Sequence, residues 1–344
     1  MNFASDNWAG ATPEVMAALG RHNDGFAPAY GSDPLSEKVR GLFCDVFERE
    51  VEVWFTPTGT ASNALGLAAV SRPGGMVLCS AEAHIHNDEW GATEFASGGM
   101  KLVPMTHVEG RVPVDALEAM LARYPEGNRF GQLVALSLTN ATELGTVYGP
   151  DAVAALTAPA RARGLAVHLD GARFANAVAA SGASPAALTW QAGVDFMSFG
   201  GTKNGCWAAE AVVVFAPEKL HDLMARRQRA GHTFSKARFV AAQFEAYLSE
   251  GNWLARAGHA NAMAERLRAG LRQRETARLG WENTANEVFA VISAEALAAV
   301  RAAGGTAYEW PSDVVTLAEG EVLVRLVTSW ATTPEDVDGF LGLV

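Results

Sequence analysis

Lys203 stands between glycines in Gly200-Gly201-Thr202-Lys203-Asn204-Gly205, directly after the apolar run 196–199. The chain has five lysines against 22 arginines, so a lysine at this strand end marks a place where an amine is wanted, not merely a charge. An amine forms an imine with a carbonyl, which a guanidinium does not. Asp170 lies 33 residues earlier, at the end of another apolar run in Val167-His168-Leu169-Asp170-Gly171-Ala172-Arg173. A carboxylate there is costly unless it meets a cation or a donor. His168 shares its side of the strand, because side chains alternate with period two, and is read as support for Asp170.

Three further stretches hold residues of this kind. Thr56-Pro57-Thr58-Gly59-Thr60-Ala61-Ser62-Asn63 puts hydroxyls and small residues at a helix start, where free N–H groups and the helix dipole favour an anion. Ala83-His84-Ile85-His86-Asn87-Asp88-Glu89 crowds two imidazoles and two carboxylates into one loop. The histidines would need a third ligand to hold a metal, and none is evident, so no metal is expected. Val322-Leu323-Val324-Arg325-Leu326-Val327-Thr328 buries an arginine in an apolar strand, where a planar bidentate donor suits a carboxylate.

Each piece alone has a plainer reading: a capped turn, a surface lysine, a salt bridge between domains. Together, a phosphate cradle, an aspartate, a lysine and a carboxylate-binding arginine are what a pyridoxal phosphate (PLP) enzyme needs. The aspartate keeps the pyridine nitrogen protonated and the lysine holds the cofactor as an imine. A cofactor-free imine aldolase would need neither the phosphate loop nor Asp170. A PLP-binding regulatory domain would need no group for the substrate carboxylate. Gly200-Gly201 fits neither a dinucleotide fingerprint nor a P-loop.

These residues must be positioned by an α/β architecture. Short apolar runs at 51–55, 76–79, 101–104, 133–138, 166–169, 196–199 and 211–215 alternate with helical stretches at 61–70, 114–123, 151–163 and 172–180. That is the pattern of βα units around a mostly parallel sheet, whose functional crevice lies at the carboxyl ends of the strands. Beyond 217 come three long helices (217–229, 236–248, 253–274), then a strand at 288–292, a helix at 294–303, a strand at 322–327 and a helix at 334–341. We expect a large domain over 1–245, N-terminal segment included, and a smaller C-terminal α/β domain over 246–344.

With 344 residues, 49% hydrophobic and 19% charged, the chain can bury a substantial core. A net charge of -11 argues against a nucleic-acid partner. No apolar run reaches the length of a membrane span, and the first residues lack the pattern of a signal peptide. Cys44, Cys79 and Cys206 are widely spaced and read as reduced thiols, so a cytoplasmic enzyme is expected.

The residues themselves resemble those of the low-specificity L-threonine aldolases, PLP enzymes of the aspartate aminotransferase-like fold (fold type I), and in particular the branch with phenylserine aldolase. The resemblance runs through Phe3-Ala4-Ser5-Asp6-Asn7, Tyr30-Gly31-Ser32-Asp33-Pro34, Thr58-Gly59-Thr60-Ala61, Ala83-His84, His168 to Arg173, the lysine loop and Arg325-Leu326-Val327-Thr328. It implies that Lys203 is the Schiff-base lysine and Asp170 the pyridine partner. Thr58, Gly59 and Thr60 would form the phosphate loop, and His84 would stack on the ring. Ser5, Arg173 and Arg325 would receive the substrate carboxylate. Tyr30 would approach the site across a subunit interface, and Arg229 would reach the partner's phosphate. His86, taken to point the same way as His84 along an extended segment, is the candidate base for the substrate β-hydroxyl. The activity implied is cleavage of L-threonine, L-allo-threonine or phenylserine to glycine and an aldehyde, in a homodimer or homotetramer. A racemase or β-eliminating lyase of the same fold would share every cofactor contact.

Overall fold

A computed structural model describes residues 1–311 and 315–344. All seven apolar runs up to residue 215 form strands: β1 (Glu52–Thr56), β2 (Gly75–Ser80), β3 (Lys101–Met105), β4 (Gln132–Thr139), β5 (Ala166–Gly171), β6 (Phe196–Gly200) and β7 (Glu210–Val214). They make one sheet in the order β1-β7-β6-β5-β4-β2-β3. The pairs β2–β3, β2–β4, β4–β5 and β5–β6 are parallel, and β7 runs antiparallel to both β6 and β1. Strands β2, β5, β6 and β7 are buried along their whole length, which is why they read as continuous apolar runs rather than alternating ones.

Helices cover both faces. On one, the Gly59–Ala69 helix is buried from Ala61 onward and packs on β6 and β7. A Cβ at Gly66 would lie 2.8 Å from the Phe196 ring, so only glycine permits this approach. On the other face, Phe43, Phe47, Phe174, Phe199, Phe244 and Trp253 form a continuous aromatic core, with Phe43 at 5.1 Å from both Phe199 and Phe244. Two helices of this face, Pro13–Arg21 and Pro34–Phe47, were not read from the sequence. Thr12 and Asp33 cap them, Asp33 accepting from the Ser36 amide at 2.9 Å, and in each a proline takes the first turn.

The second sheet is antiparallel throughout: β8 (Arg278–Leu279), β9 (Glu287–Ser293), β10 (Tyr308–Glu309) and β11 (Glu321–Val327), in the order β10-β11-β9-β8. The segment expected as one helix over 217–229 is a 3-10 turn, Pro217–Lys219, and a separate helix, Leu223–Arg229, split where Asp222 takes a left-handed backbone at φ 56°.

We propose a two-domain division with a seam other than 245/246. That cut would fall within the Arg238–Leu248 helix, whose buried residues belong to the large core. The next helix, Asn252–Arg272, begins in that core with Trp253 and Ala257 and ends in the small one with Ala264, Leu267 and Leu271. The N-terminus also departs from the expectation. Phe3 packs in the small core against Phe340 and bonds through its backbone to Thr306 and Val327, so the chain crosses from the small core into the site within a few residues.

Candidate active site

Strands β1, β4, β5 and β6 end beside one cavity of about 280 Å³, lined among others by Thr58, Gly59, Thr60, His84, Asp170, Arg173 and Lys203. The parallel strands β4, β5 and β6 bring their carboxyl ends to the same edge, which gathers residues far apart in sequence.

Lys203 is carried by a one-turn 3-10 segment, Thr202–Asn204. That turn is anchored on both sides. The Thr202 amide donates to Glu210 Oε1 at 3.1 Å, and Asn204 donates to the Tyr247 hydroxyl and the Trp253 carbonyl, each at 2.8 Å. Gly200 lets the strand end pass close to Ala172, whose carbonyl oxygen would lie 2.5 Å from an added Cβ. The Lys203 amine itself faces the cavity with no hydrogen bond or ion pair to any described residue.

Asp170 is satisfied from three directions. Asn63 donates to Oδ2 at 2.7 Å, while the Ala172 amide and the Ser198 hydroxyl donate to Oδ1 at 3.0 and 3.3 Å. Burial pushes its carboxyl up, but His84, the Ala172 amide and Lys203 hold it below the ordinary value. Burial pushes His168 down to about 4 against the pull of Asp170, so its ring is neutral. It bonds to Ser137 at 2.9 Å and packs on Phe196 at 5.0 Å. The ionised state of Asp170 therefore rests on the remaining donors and cations.

Asn63 also donates to Glu89 Oε1 at 2.9 Å, and His84 Nδ1 meets the same oxygen at 2.9 Å. This bond to Glu89 raises the imidazole's pKa against the cost of burial, with Asp170 adding to the rise. Asn63 and Glu89 thus tie the His84 ring to Asp170. Glu89 is one of the two carboxylates noted in its loop, but the sequence assigns no role to it or to Asn63, and none to Asn7, Thr139, Glu143, Thr202 and Glu210, which also line the cavity. Burial drives the carboxyls of Glu143 and Glu210 up to about 7. The one sequence signal available was position: Glu210 starts an apolar strand, and Glu143 follows one closely.

Thr58 caps the Gly59–Ala69 helix, its Oγ1 accepting from the Ala61 amide at 3.1 Å. The amides of Gly59 and Thr60 belong to the first turn, where no intrahelical acceptor exists.

Arg173 faces the cavity but is already engaged. Its Nε and Nη2 grip Asp6 at 2.8 and 3.0 Å, and Nη1 lies 3.5 Å from Glu287 Oε1. Arg325 does not line the cavity. Its guanidinium lies 4.7 Å from the Trp310 ring centroid and 4.0 Å from the same Glu287 oxygen. Ser5 caps the Asp6–Trp8 turn by accepting from the Asn7 amide at 3.2 Å, and it is Asn7 that reaches the cavity. Tyr30 is 61% exposed in a left-handed turn. Arg229 lines a neighbouring cavity with Arg226 and His232, which shares Thr58 and Thr60 with the first.

His86 requires a correction. Its segment is a turn of helix, His84–Asn87, not an extended run. Two residues along a helix turn the side chain through about 200°, so His86 diverges from His84, is exposed and does not line the cavity.

A family model described as beta-eliminating lyase matches residues 2–295. The low specificity L-threonine aldolase of Pseudomonas aeruginosa is 40% identical over 97% of this chain and 94% of its own length. That of a Pseudomonas strain is 39% identical over 96% and 93%. Among solved structures, Leishmania major threonine aldolase superposes with a TM-score of 0.92 at 26% identity, covering 99% of this chain and 98% of its own. The chain belongs to the beta-eliminating lyase family and, within it, to the low-specificity L-threonine aldolases, PLP-dependent lyases of fold type I.

Proposed function

We propose that this protein cleaves β-hydroxy-α-amino acids (L-threonine, L-allo-threonine or phenylserine) to glycine and an aldehyde by a retro-aldol reaction in the cytoplasm. The observation that carries this reading is the pairing, in one cavity, of a lysine amine that bonds to no described residue with a buried, ionised aspartate.

The residues present fit PLP. Lys203 offers an amine with no competing partner among the described residues. Asp170 offers a carboxylate already held ionised by its donors, so it suits a protonated pyridine nitrogen. Thr58 and the first-turn amides of Gly59 and Thr60 suit a phosphate, and the His84 ring, fixed by Glu89, suits the face of an aromatic ring. When bound, the cofactor supplies an electron sink for a bond broken at Cα.

The chain's own residues do the rest. Arg173 meets the substrate carboxylate with Nη1, which the substrate must share with Glu287 at 3.5 Å, since Asp6 takes the other edge. Arg325 supports it from beyond Glu287, with Ser5 bracing the Asp6–Asn7 turn. A carboxylate fixed in this way decides which Cα bond is presented for cleavage. The working unit is at least a homodimer, or a homotetramer, with Tyr30 and Arg229 serving a neighbouring subunit. Phe26, Trp90 and Phe95 are large apolar residues left almost fully exposed, which burial against a neighbouring subunit would account for.

The test is to offer the purified protein each amino acid, with and without PLP, and to measure aldehyde and glycine. Both products should form only with PLP and vanish in Lys203→Ala. The description of the matching family model favours β-elimination as a second reading. Ammonia and a keto acid without glycine would establish it, and inverted amino acid without aldehyde would establish a racemase.

A further inference from the structure

Glu143 sits four residues beyond Thr139, in the loop that leaves the end of β4. Its Oε1 accepts two hydrogen bonds, from the His84 amide at 2.8 Å and the Thr139 hydroxyl at 3.0 Å. Its Oε2 is buried and has no hydrogen-bond partner among the described residues. The side chain lines the same cavity as Lys203, Asp170 and His84. A buried carboxylate oxygen left without a donor is costly, and such an atom aimed into a site is explained by a ligand that supplies the donor. The hydroxyl of a β-hydroxy amino acid is such a donor.

We propose that Glu143 is the base for the cleavage, its Oε2 taking the proton of the substrate β-hydroxyl; this rests on the aldolase reading above. The O–H pair becomes the second C–O bond of the aldehyde, and the Cα–Cβ bond breaks. Its electron pair stays with the glycine fragment, which gains a proton at Cα, while Glu143 passes the hydroxyl proton to solvent. No other reactant is consumed.

Three features support the assignment. Burial, with the nearby charge of Asp170, pushes the carboxyl up to about 7 against the His84 amide and the Thr139 hydroxyl, which pull it down. An acid that titrates there is suited to taking and returning a proton near neutrality. The other charged or titratable groups coupled to it, Arg173, Tyr148 and Cys79, are either engaged elsewhere or held protonated by burial. And His86, the imidazole expected to do this work, is outside the cavity.

Glu143→Gln separates this role from a structural one. The amide oxygen still accepts from the His84 amide and Thr139, so the anchor survives and only the basic oxygen is lost. The variant should take up PLP normally and exchange the Cα–H of glycine, a reaction with no β-hydroxyl, within about threefold of wild type, while L-threonine cleavage falls roughly 100-fold. Glu143→Asp should recover part of that loss. In the cofactor-free protein, infrared titration should show carboxyl groups ionising near neutrality, Glu143 and Glu210 among them, and Glu143→Gln should remove one of that pair. Cleavage and exchange falling together, cleavage persisting within threefold, or both ionisations persisting would each overturn the proposal. Failure of the aldolase reading would look different: the wild-type protein itself would release no glycine.

Discussion

At the scale of single residues, the site depends on how each charge is held. Asp170 accepts from Asn63, Ala172 and Ser198, so its geometry and its charge can be separated experimentally. Asp170→Asn keeps the size and one acceptor but removes the charge that a protonated pyridine nitrogen would face. The variant should fold and bind PLP, with a shifted visible spectrum, and lose roughly 100- to 1,000-fold in turnover, the cost of a lost preorganised charge. Steady-state kinetics beside the spectrum decide it; near-normal turnover would make Asp170 a structural residue. Arg173 shows how a residue's type can be plain while its engagement is hidden. The family resemblance marks it as a carboxylate receiver, yet half of its donor edge is committed to Asp6.

At the scale of elements, the decisive question was the local period. His84 and His86 lie on the same side of an extended segment but on diverging sides of a helix, and the His84–Asn87 segment is helical. The run is only four residues long, too short for a periodicity to distinguish the two. His86→Ala should therefore leave cleavage of L-threonine within about twofold of wild type, as for other exposed substitutions. A drop of tenfold or more in kcat would put His86 back in the reaction. Long elements were more legible. The buried strands and the Val114–Arg123 and Pro334–Leu341 helices carry strong apolar patterns and stand where the sequence places them. The helices Pro13–Arg21 and Pro34–Phe47 lie outside the sequence-derived pattern, although both have a capping residue followed by proline.

At the scale of the whole molecule, the fold buries acids that stability alone would not choose. Glu210 is 5% exposed, and burial raises its carboxyl from 4.5 to about 7 despite the Thr202 hydrogen bonds and Lys203. Folding then binds a proton that the unfolded chain has released. This contribution to stability is present below pH 4.5, declines as pH rises, and is lost above about 7. Glu210→Gln keeps the acceptor for the Thr202 amide and removes the ionisation. In the cofactor-free protein it should add about 3 kcal/mol above pH 7 and almost nothing below pH 4.5. Urea unfolding at several pH values checks this; a difference independent of pH would show that Glu210 ionises freely in the fold.

What the sequence determined by itself is the alternation of buried strands and helices, and with it the edge where the strand-end loops meet. Strand burial is written in consecutive apolar residues, and parallel order then brings Asp170 and Lys203 to one side without further information. What only the tertiary structure decided is which ordinary polar residues complete the site. Asn63 reaches Asp170 across 107 residues of sequence, and Asp6 reaches Arg173 across 167. Glu143 and Glu210 owe their raised carboxyls to burial by surrounding elements. Hydrogen bonding and desolvation depend on distances of a few ångströms in space, and local pattern carries no record of them.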